Sequence, residues 1–174
     1  MDTKTARDLM IPIEKYPHVC ETCTLRQAVI EIENASLSVK GRKSLPRVLL
    51  VLDDNQQLVG VVRRRDILRG LEPRFLQNVP SSYQKKLFDM EVDPNLVEIS
   101  FGQDEKMFKE RAEKPVSKVM LPIVAAVNPD DHLAKIIYLM VSKNLALLPV
   151  IDNNKVIGVV RSVGVFQEVA KLLG

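Results

Sequence analysis

The apolar positions of this chain fall into two sets that repeat one another. Leu25, Ala28, Val29 and Ile32 stand at i, i+3, i+4 and i+7, one face of a helix, and Leu133, Ile136, Ile137 and Met140 do the same. Thr22 and Asp130 stand three residues ahead of these faces, where an oxygen is wanted to cap the first turn. Beyond the helices come "RVLLVLDDNQQLVGVV" and "LLPVIDNNKVIGVV". Each is an apolar strand, an Asp/Asn turn and a second apolar strand, the pattern of a β-hairpin. A further helix follows each hairpin, with Ile67, Leu68 and Leu71 as the apolar positions of the first and Phe166, Val169, Ala170 and Leu173 of the second. The order predicted for each copy is short strand, helix, strand, strand, helix.

The two copies align in steps. "ARDLMIPI" at 6–13 matches "VSKVMLPI" at 116–123 at an offset of 110. Val19 matches Val127 and the helix faces match at 108, while "LVGVVR" at 58–63 matches "VIGVVR" at 156–161 at 98. The fall from 108 to 98 places about ten extra residues in the first copy, within the polar, basic "SLSVKGRKSLPR" at 36–47. The chain then divides into a first unit at 1–71, an insert at 72–115 and a second unit at 116–174. The insert holds Phe75, Tyr83, Phe88, Phe101 and Phe108, five of the eight aromatics, which argues for a packed segment over a disordered one. Within it "DEKMFKERAEK" at 104–114 reads as a charged, largely exposed helix ended by Pro115.

Composition narrows the class. With 174 residues, 46% hydrophobic and 27% charged, the chain suits one domain or two small packed halves. A net charge of +3, from 25 basic against 22 acidic residues, is too mild to imply nucleic acid, although Arg42, Lys43 and Arg63 to Arg65 would serve such a partner. The apolar runs fall short of the ~20 residues of a bilayer span, and "MDTKTARDLM" lacks the basic start and apolar block of a signal peptide. The expectation is a cytoplasmic protein. There is no P-loop, G-x-S-x-G or H-E-x-x-H, and no His and acid paired for proton transfer, so no enzyme is expected. "CETC" (Cys20, Cys23) can be a redox pair or half of a zinc site. Zinc needs two more ligands, and the chain offers only His18, too close to Cys20, and His132. Asn128 and Asp131 stand at the matching positions of the second copy, so the expectation is two thiols at a strand-to-helix junction and no metal.

A duplicated unit of this order, with M-x-P at its head and V-x-D…G-V-V-x-x-x-D at its tail, resembles the CBS domain. Met10, Pro12, Asp53, Gly60, Val61, Val62 and Asp66 carry the resemblance in the first copy. Met120, Pro122, Leu148, Pro149, Val150, Asp152, Gly158, Val159 and Val160 carry it in the second. It covers residues 6–71 and 116–173. It implies an α+β (α/β) fold of two pseudo-twofold-related units, their sheets packed together with clefts between them. It further implies a regulatory homodimer that binds an adenosine compound (AMP, ADP, ATP or S-adenosylmethionine) and signals to a partner protein, here as a stand-alone module. The other reading is a ligand-free dimerisation or interaction scaffold with degenerate nucleotide sites.

The family's ribose-holding pattern is G-h-h-T/S-x-x-D, in which an ionised Asp accepts from both ribose hydroxyls. Asp66 keeps the acid, and Arg63 stands in the hydroxyl position. In the second copy Arg161 takes that position, Ser162 follows it, and Gly164 replaces the acid. Alternation along a strand predicts Arg63 and Arg65 on one side and Arg64 on the other. Arg63 and Arg65 are then candidates to grip phosphate, against the alternatives of solvated charges or a salt-bridged protein interface. Positions matching the family's adenine pocket are Ile13, Tyr16 and Val48 in the first copy and Ile123, Leu148 and Pro149 in the second, with Tyr16 the candidate to stack on a base. Core packing is the competing role for each.

Overall fold

The computed structural model describes residues 4–72 and 104–174. Its first half contains α1 (Ala6–Leu9), β1 (Ile11–Pro12), β2 (His18–Cys20), α2 (Leu25–Asn34), β3 (Leu37–Val39), β4 (Arg42–Ser44), β5 (Val48–Leu52), β6 (Leu58–Arg63) and α3 (Arg64–Leu71). Then come α4 (Asp104–Ala112), α5 (Leu133–Ser142), β7 (Leu147–Asp152), β8 (Lys155–Arg161) and α6 (Ser162–Leu173). In the first unit β2 runs parallel to β5, which pairs antiparallel with β6. In the second, a parallel bridge from Val127 to Val150 takes the place of β2, and β7 pairs antiparallel with β8. The predicted order is therefore present twice, and the extra residues of the first copy form the small β3–β4 hairpin.

Strand β5 is buried at all five positions because both its faces are covered. Leu49 and Val51 join Leu25, Ala28, Val62 and Ile67 on the side of α2 and α3. Val48 and Leu50 instead join Leu147 and Val159 of the other sheet. A third cluster, with Leu148, Val150 and Val160, lies under α5 and α6. The fold is thus two sheets packed face to face, each with helices on its outer side.

The heads of the two copies are exchanged. β1 pairs with β8 of the second unit, Ile11 opposite Val159 and Pro12 opposite Gly158. Reciprocally, Val61 and Leu121 exchange backbone hydrogen bonds of 2.9 and 2.8 Å. The approach is close enough to require glycine. A Cβ on Gly158 would stand 2.6 Å from the Ile11 carbonyl oxygen, and one on Gly60 2.7 Å from that of Leu121.

Several details differ from the sequence reading. Helix α2 starts at Leu25 itself, so its cap is Thr24, whose hydroxyl accepts from Gln27 N–H at 3.2 Å, and not Thr22. In the second unit the cap position of α5 is His132, which makes no side-chain cap hydrogen bond, so Asp130 does not cap it; Asp131 accepts from Asn128 N–H, ahead of the helix, at 2.8 Å. Val29 and Leu68, placed on core faces by periodicity, are exposed. In α6 the buried residues are Val165 and Glu168, while Phe166 (75% exposed) and Leu173 point outward, one position off the predicted stripe. Helix α4 forms where expected but is less exposed than expected: it packs on α2 and α3, Arg111 is buried against the Glu72 carbonyl, and Glu113 accepts from Arg26 Nε at 2.6 Å. The aromatic argument for the insert falls, apart from half-buried Phe108, outside the described residues.

Candidate functional site

Strand β6 ends at Arg63, and α3 begins at the next residue. Asp66 turns back from the first turn to this junction. Its Oδ2 accepts from the Arg63 backbone N–H at 3.0 Å and from Arg63 Nε at 2.8 Å, and its Oδ1 accepts from Arg63 Nη2 at 3.0 Å. Arg69 Nη1 adds a contact at 3.6 Å. The carboxylate is wholly buried, whereas the Arg63 side chain is 44% exposed. Burial pushes the Asp66 carboxyl up, but the Arg63 hydrogen bonds and the charges of Arg63 and Arg69 outweigh it and hold the group below its ordinary value. The hydrogen bond to Asp66 in turn keeps the Arg63 guanidinium protonated beyond its ordinary value.

The strand alternation expected to align Arg65 with Arg63 stops at Arg63, because the chain turns helical at Arg64. Arg64 and Arg65 lie exposed on the first turn of α3. The three arginines therefore divide into one held by Asp66 and two at the surface.

In the second unit β8 ends at Arg161 and α6 starts at Ser162, whose N–H donates to the Ala146 carbonyl at 2.9 Å. Gly164 supplies no acid, so Arg161 turns elsewhere and donates from Nη1 to Ser44 Oγ, on the β3–β4 hairpin, at 3.0 Å. That hairpin lies across the junction of the two units. Its Leu37 is buried with Tyr16, Val48 and Leu147, and Lys40 Nζ stands 3.3 Å from the buried Glu168 carboxylate of α6. Lys171 meets the same carboxylate at 2.5 Å, and these two lysines hold Glu168 below its ordinary value against its burial.

The apolar candidates separate on inspection. Val48 sits opposite Arg63 in the β5–β6 ladder, and Leu147 opposite Arg161 in β7–β8. Leu147 is thus the counterpart of Val48, and both lie in the cluster between the sheets. Leu148 points the other way, into the core under α5 and α6. The second hairpin is one residue shorter between paired positions (161 − 147 = 14 against 63 − 48 = 15), and counting that turn would have found Leu147. Pro149 is buried in β7, with its carbonyl accepting from Val127 N–H at 3.0 Å. Ile13 is half-buried beside the inter-sheet cluster, and Ile123 is half-buried in irregular chain. Tyr16 is a core residue, 2% exposed, with its hydroxyl donating to the Val48 carbonyl at 2.8 Å. Burial raises its phenol to about 12, opposed by Arg161 nearby. Its ring has no open face on which a base could stack.

At the other end of the sheets, the turn end of the hairpins, two cavities open. One of about 480 Å³ is lined by His18, Cys20, Cys23, Gln27 and Asp53, and one of about 360 Å³ by Ile13, Glu14, Gln57, Leu58 and Lys155. Of the sequence-predicted site residues only Ile13 lines either. Cys20 and Cys23 form a disulfide, not the two thiols expected: the turn between β2 and α2 brings their Cα atoms to 5.1 Å, within reach of the bond. Among the described residues no group of three or more His, Cys, Asp or Glu side chains gathers to hold a metal ion, and no helix is long and apolar enough to cross a membrane.

The CBS domain model matches residues 6–73 and 116–171. No curated protein sequence matches the chain. Among solved structures, CBSX2 from Arabidopsis thaliana, described as a CBS-pair protein, is 21% identical with a TM-score of 0.64, covering 98% of this chain and 97% of that one. A structure of CBSX2 in complex with AMP is 20% identical with a TM-score of 0.63, covering 98% of each. The cytosolic domain of the Mg2+ channel MgtE in complex with ATP is 19% identical with a TM-score of 0.57, covering 94% of this chain and 48% of that one. At these identities the likeness is one of fold.

Proposed function

The chain belongs to the CBS domain family, and from that premise we propose that it is a regulatory module binding an adenosine-containing ligand of the AMP, ADP or ATP class where its two units meet. The observation that carries this reading is the Arg63–Asp66 pair: a fully buried carboxylate at a helix start, satisfied by a guanidinium that is itself half-exposed. Ribose hydroxyls can donate to both oxygens of Asp66 in place of Arg63. The guanidinium so released is a planar, permanently charged fork suited to phosphate, and Arg161 offers a second at the matching position of the other unit. Val48 and Leu147, opposite Arg63 and Arg161, supply apolar wall, with Tyr16 behind it; Ile13 lies toward the other end of the sheets. AMP on CBSX2 and ATP on MgtE support the ligand class.

A ligand shifts a conformation only by its differential affinity for two states. Here the two states differ in whether Arg63 is bound to Asp66, and the β3–β4 hairpin, tied to Arg161 and Glu168, carries the difference from one unit to the other. A partner protein reads the result. Tyr138, Val141, Phe166 and Leu172, exposed on α5 and α6, support self-association as a homodimer or docking of that partner.

The test is a thermal-shift panel of AMP, ADP, ATP and S-adenosylmethionine, with stoichiometry by calorimetry. A ligand at 100 times its Kd adds about 2.7 kcal/mol of stability. Stabilisation with one site per chain supports the reading, and no stabilisation by any of the four sinks it. The second reading, a ligand-free interaction scaffold, is favoured by the same saturated carboxylate: a site already closed by its own arginine needs no ligand.

A further inference from the structure

The disulfide turn docks the start of the second unit onto the first. Val116 N–H donates to the Cys23 carbonyl at 2.7 Å and Ser117 N–H to the Glu21 carbonyl at 3.1 Å, while Leu25 N–H donates to the Lys114 carbonyl at 2.9 Å. Val116 is fully buried in the first unit's core, and four and five residues on are Met120 and Leu121, against Gly60 and Val61. Residues 128–131 dock Ala6 and Arg7 in the same way. Ala6 N–H donates to the Asp131 carbonyl and Arg7 N–H to the Pro129 carbonyl, both at 2.9 Å.

What holds the two turns differs. In the second unit the Asp131 carboxylate accepts from Asn128 N–H at 2.8 Å and is paired with Lys135 at 2.8 Å. In the first, the equivalent donor, Cys20 N–H, meets only Cys23 Sγ at 3.3 Å, a weak acceptor, and the disulfide does the holding. One turn is fixed by a charge present at any redox poise, the other by a bond that a reductant can break. Both cysteines are half-buried and line the 480 Å³ cavity, which leaves the sulfurs within reach of an attacking thiolate.

We propose that Cys20–Cys23 is a reversible dithiol–disulfide switch that sets how firmly the first unit holds the segment from Lys114 to Val119, and so how firmly the two units are joined. A dithiol reductant, small molecule or protein, attacks one sulfur as its thiolate. The S–S bond breaks, a mixed disulfide forms, and the displaced cysteine leaves as thiolate and takes a proton. The reductant's second thiolate then displaces the other cysteine. Two electrons and two protons have passed to the protein, and the reductant has become a disulfide; a disulfide oxidant runs the sequence backward. With both thiols formed, the covalent link across the turn is gone, Cys20 N–H still has no acceptor stronger than sulfur to replace it, and the docked segment loosens.

The experiment compares amide hydrogen exchange of the full chain in its oxidised form and after reduction with dithiothreitol, with thiols counted by alkylation and mass spectrometry. Reduction is expected to speed exchange at Val116 and Ser117 by about tenfold or more, as local opening becomes easier, while Ala6 and Arg7 on the carboxylate-held turn change little. Reoxidation by glutathione disulfide restores the slow rates. The double variant C20N/C23D, which transplants the second unit's turn, exchanges slowly under both conditions. Equal rates at Val116 and Ser117 in oxidised and reduced wild type overturn the switch, as does a pair that stays reduced in every glutathione buffer. Neither outcome depends on whether a nucleotide binds.

Discussion

Replacing Asp66 with Asn tests the Arg63–Asp66 pair without a ligand. The amide keeps one oxygen for the Arg63 backbone N–H, which stands 3.0 Å from Oδ2, so most of the helix cap survives. It loses the charge that holds Arg63 Nε at 2.8 Å and Nη2 at 3.0 Å, and turns an NH2 toward a guanidinium that has only donors. Hydrogen bonds to charged groups contribute ~1.5–3 kcal/mol, and the half-exposed Arg63 regains water when released, which favours the lower part of that range. The expected loss is about 2 kcal/mol, or about 4–8 °C in Tm for a chain of this size. The pH dependence has a definite sign. The folded-state pKa of Asp66 is depressed, so its contribution is present above the unfolded carboxyl's ordinary value, ~3.9, and disappears as pH falls through the folded value. Asp8, Asp131 and Glu168 are also depressed, so both proteins lose stability in acid and the difference between them is diagnostic. Urea denaturation at pH 7 and pH 3 should show a gap at neutrality that narrows in acid. Equal midpoints at pH 7, or a gap undiminished at pH 3, would mean that the Asp66 charge does not hold Arg63 in the folded protein.

Other predictions follow from the same contacts. Gly158→Ala and Gly60→Ala each drive a Cβ to within 2.7 Å of a backbone oxygen in the exchanged head strand, and should cost ~1–3 kcal/mol by denaturant titration. Gly164→Ala, with nothing within 4 Å, should be neutral or stabilise α6 by ~0.5–1 kcal/mol. Leu37→Ala empties a buried position between the units and should cost ~2–4 kcal/mol; a cost below ~0.5 kcal/mol would show that the hairpin does not pack there. Tyr16 should ionise only near pH 12 by ultraviolet absorbance, and because its folded value is raised its contribution to stability is complete below pH ~10 and lost above it; ionisation at an ordinary phenol value would place it outside the core.

The duplicated order of elements was legible because each copy carries its own period: helical spacing from Leu25 to Ile32, then apolar strands flanking an Asp/Asn turn. The exchange of the heads was not. Met10-x-Pro12 and Met120-x-Pro122 align equally well whether each packs on its own copy or on the other, and it is the strand pairing, with its close approaches at Gly60 and Gly158, that distinguishes the two. That an acid, Asp66, follows the strand end by three residues was legible from the tail motif, but its saturation by Arg63 was not, since a strand-end arginine reads equally as facing solvent, phosphate or protein. Arg65 was misplaced because strand alternation was carried one residue past the helix start. Phe166 and Leu173 satisfy a helical period and still face outward, because periodicity names an apolar stripe without saying whether this chain covers it. The disulfide fell between readings: two cysteines three apart specify a turn, and the geometry of that turn decides between thiols and a bond.

The most direct measurement of the ligand-binding account is a calorimetric titration of AMP into the wild-type chain and into Asp66→Asn, at a temperature where both are folded. One site per chain is expected in the wild type, with an affinity lower by about 100-fold or more in the variant, equivalent to about 2.7 kcal/mol. Equal affinity in the two proteins would contradict it.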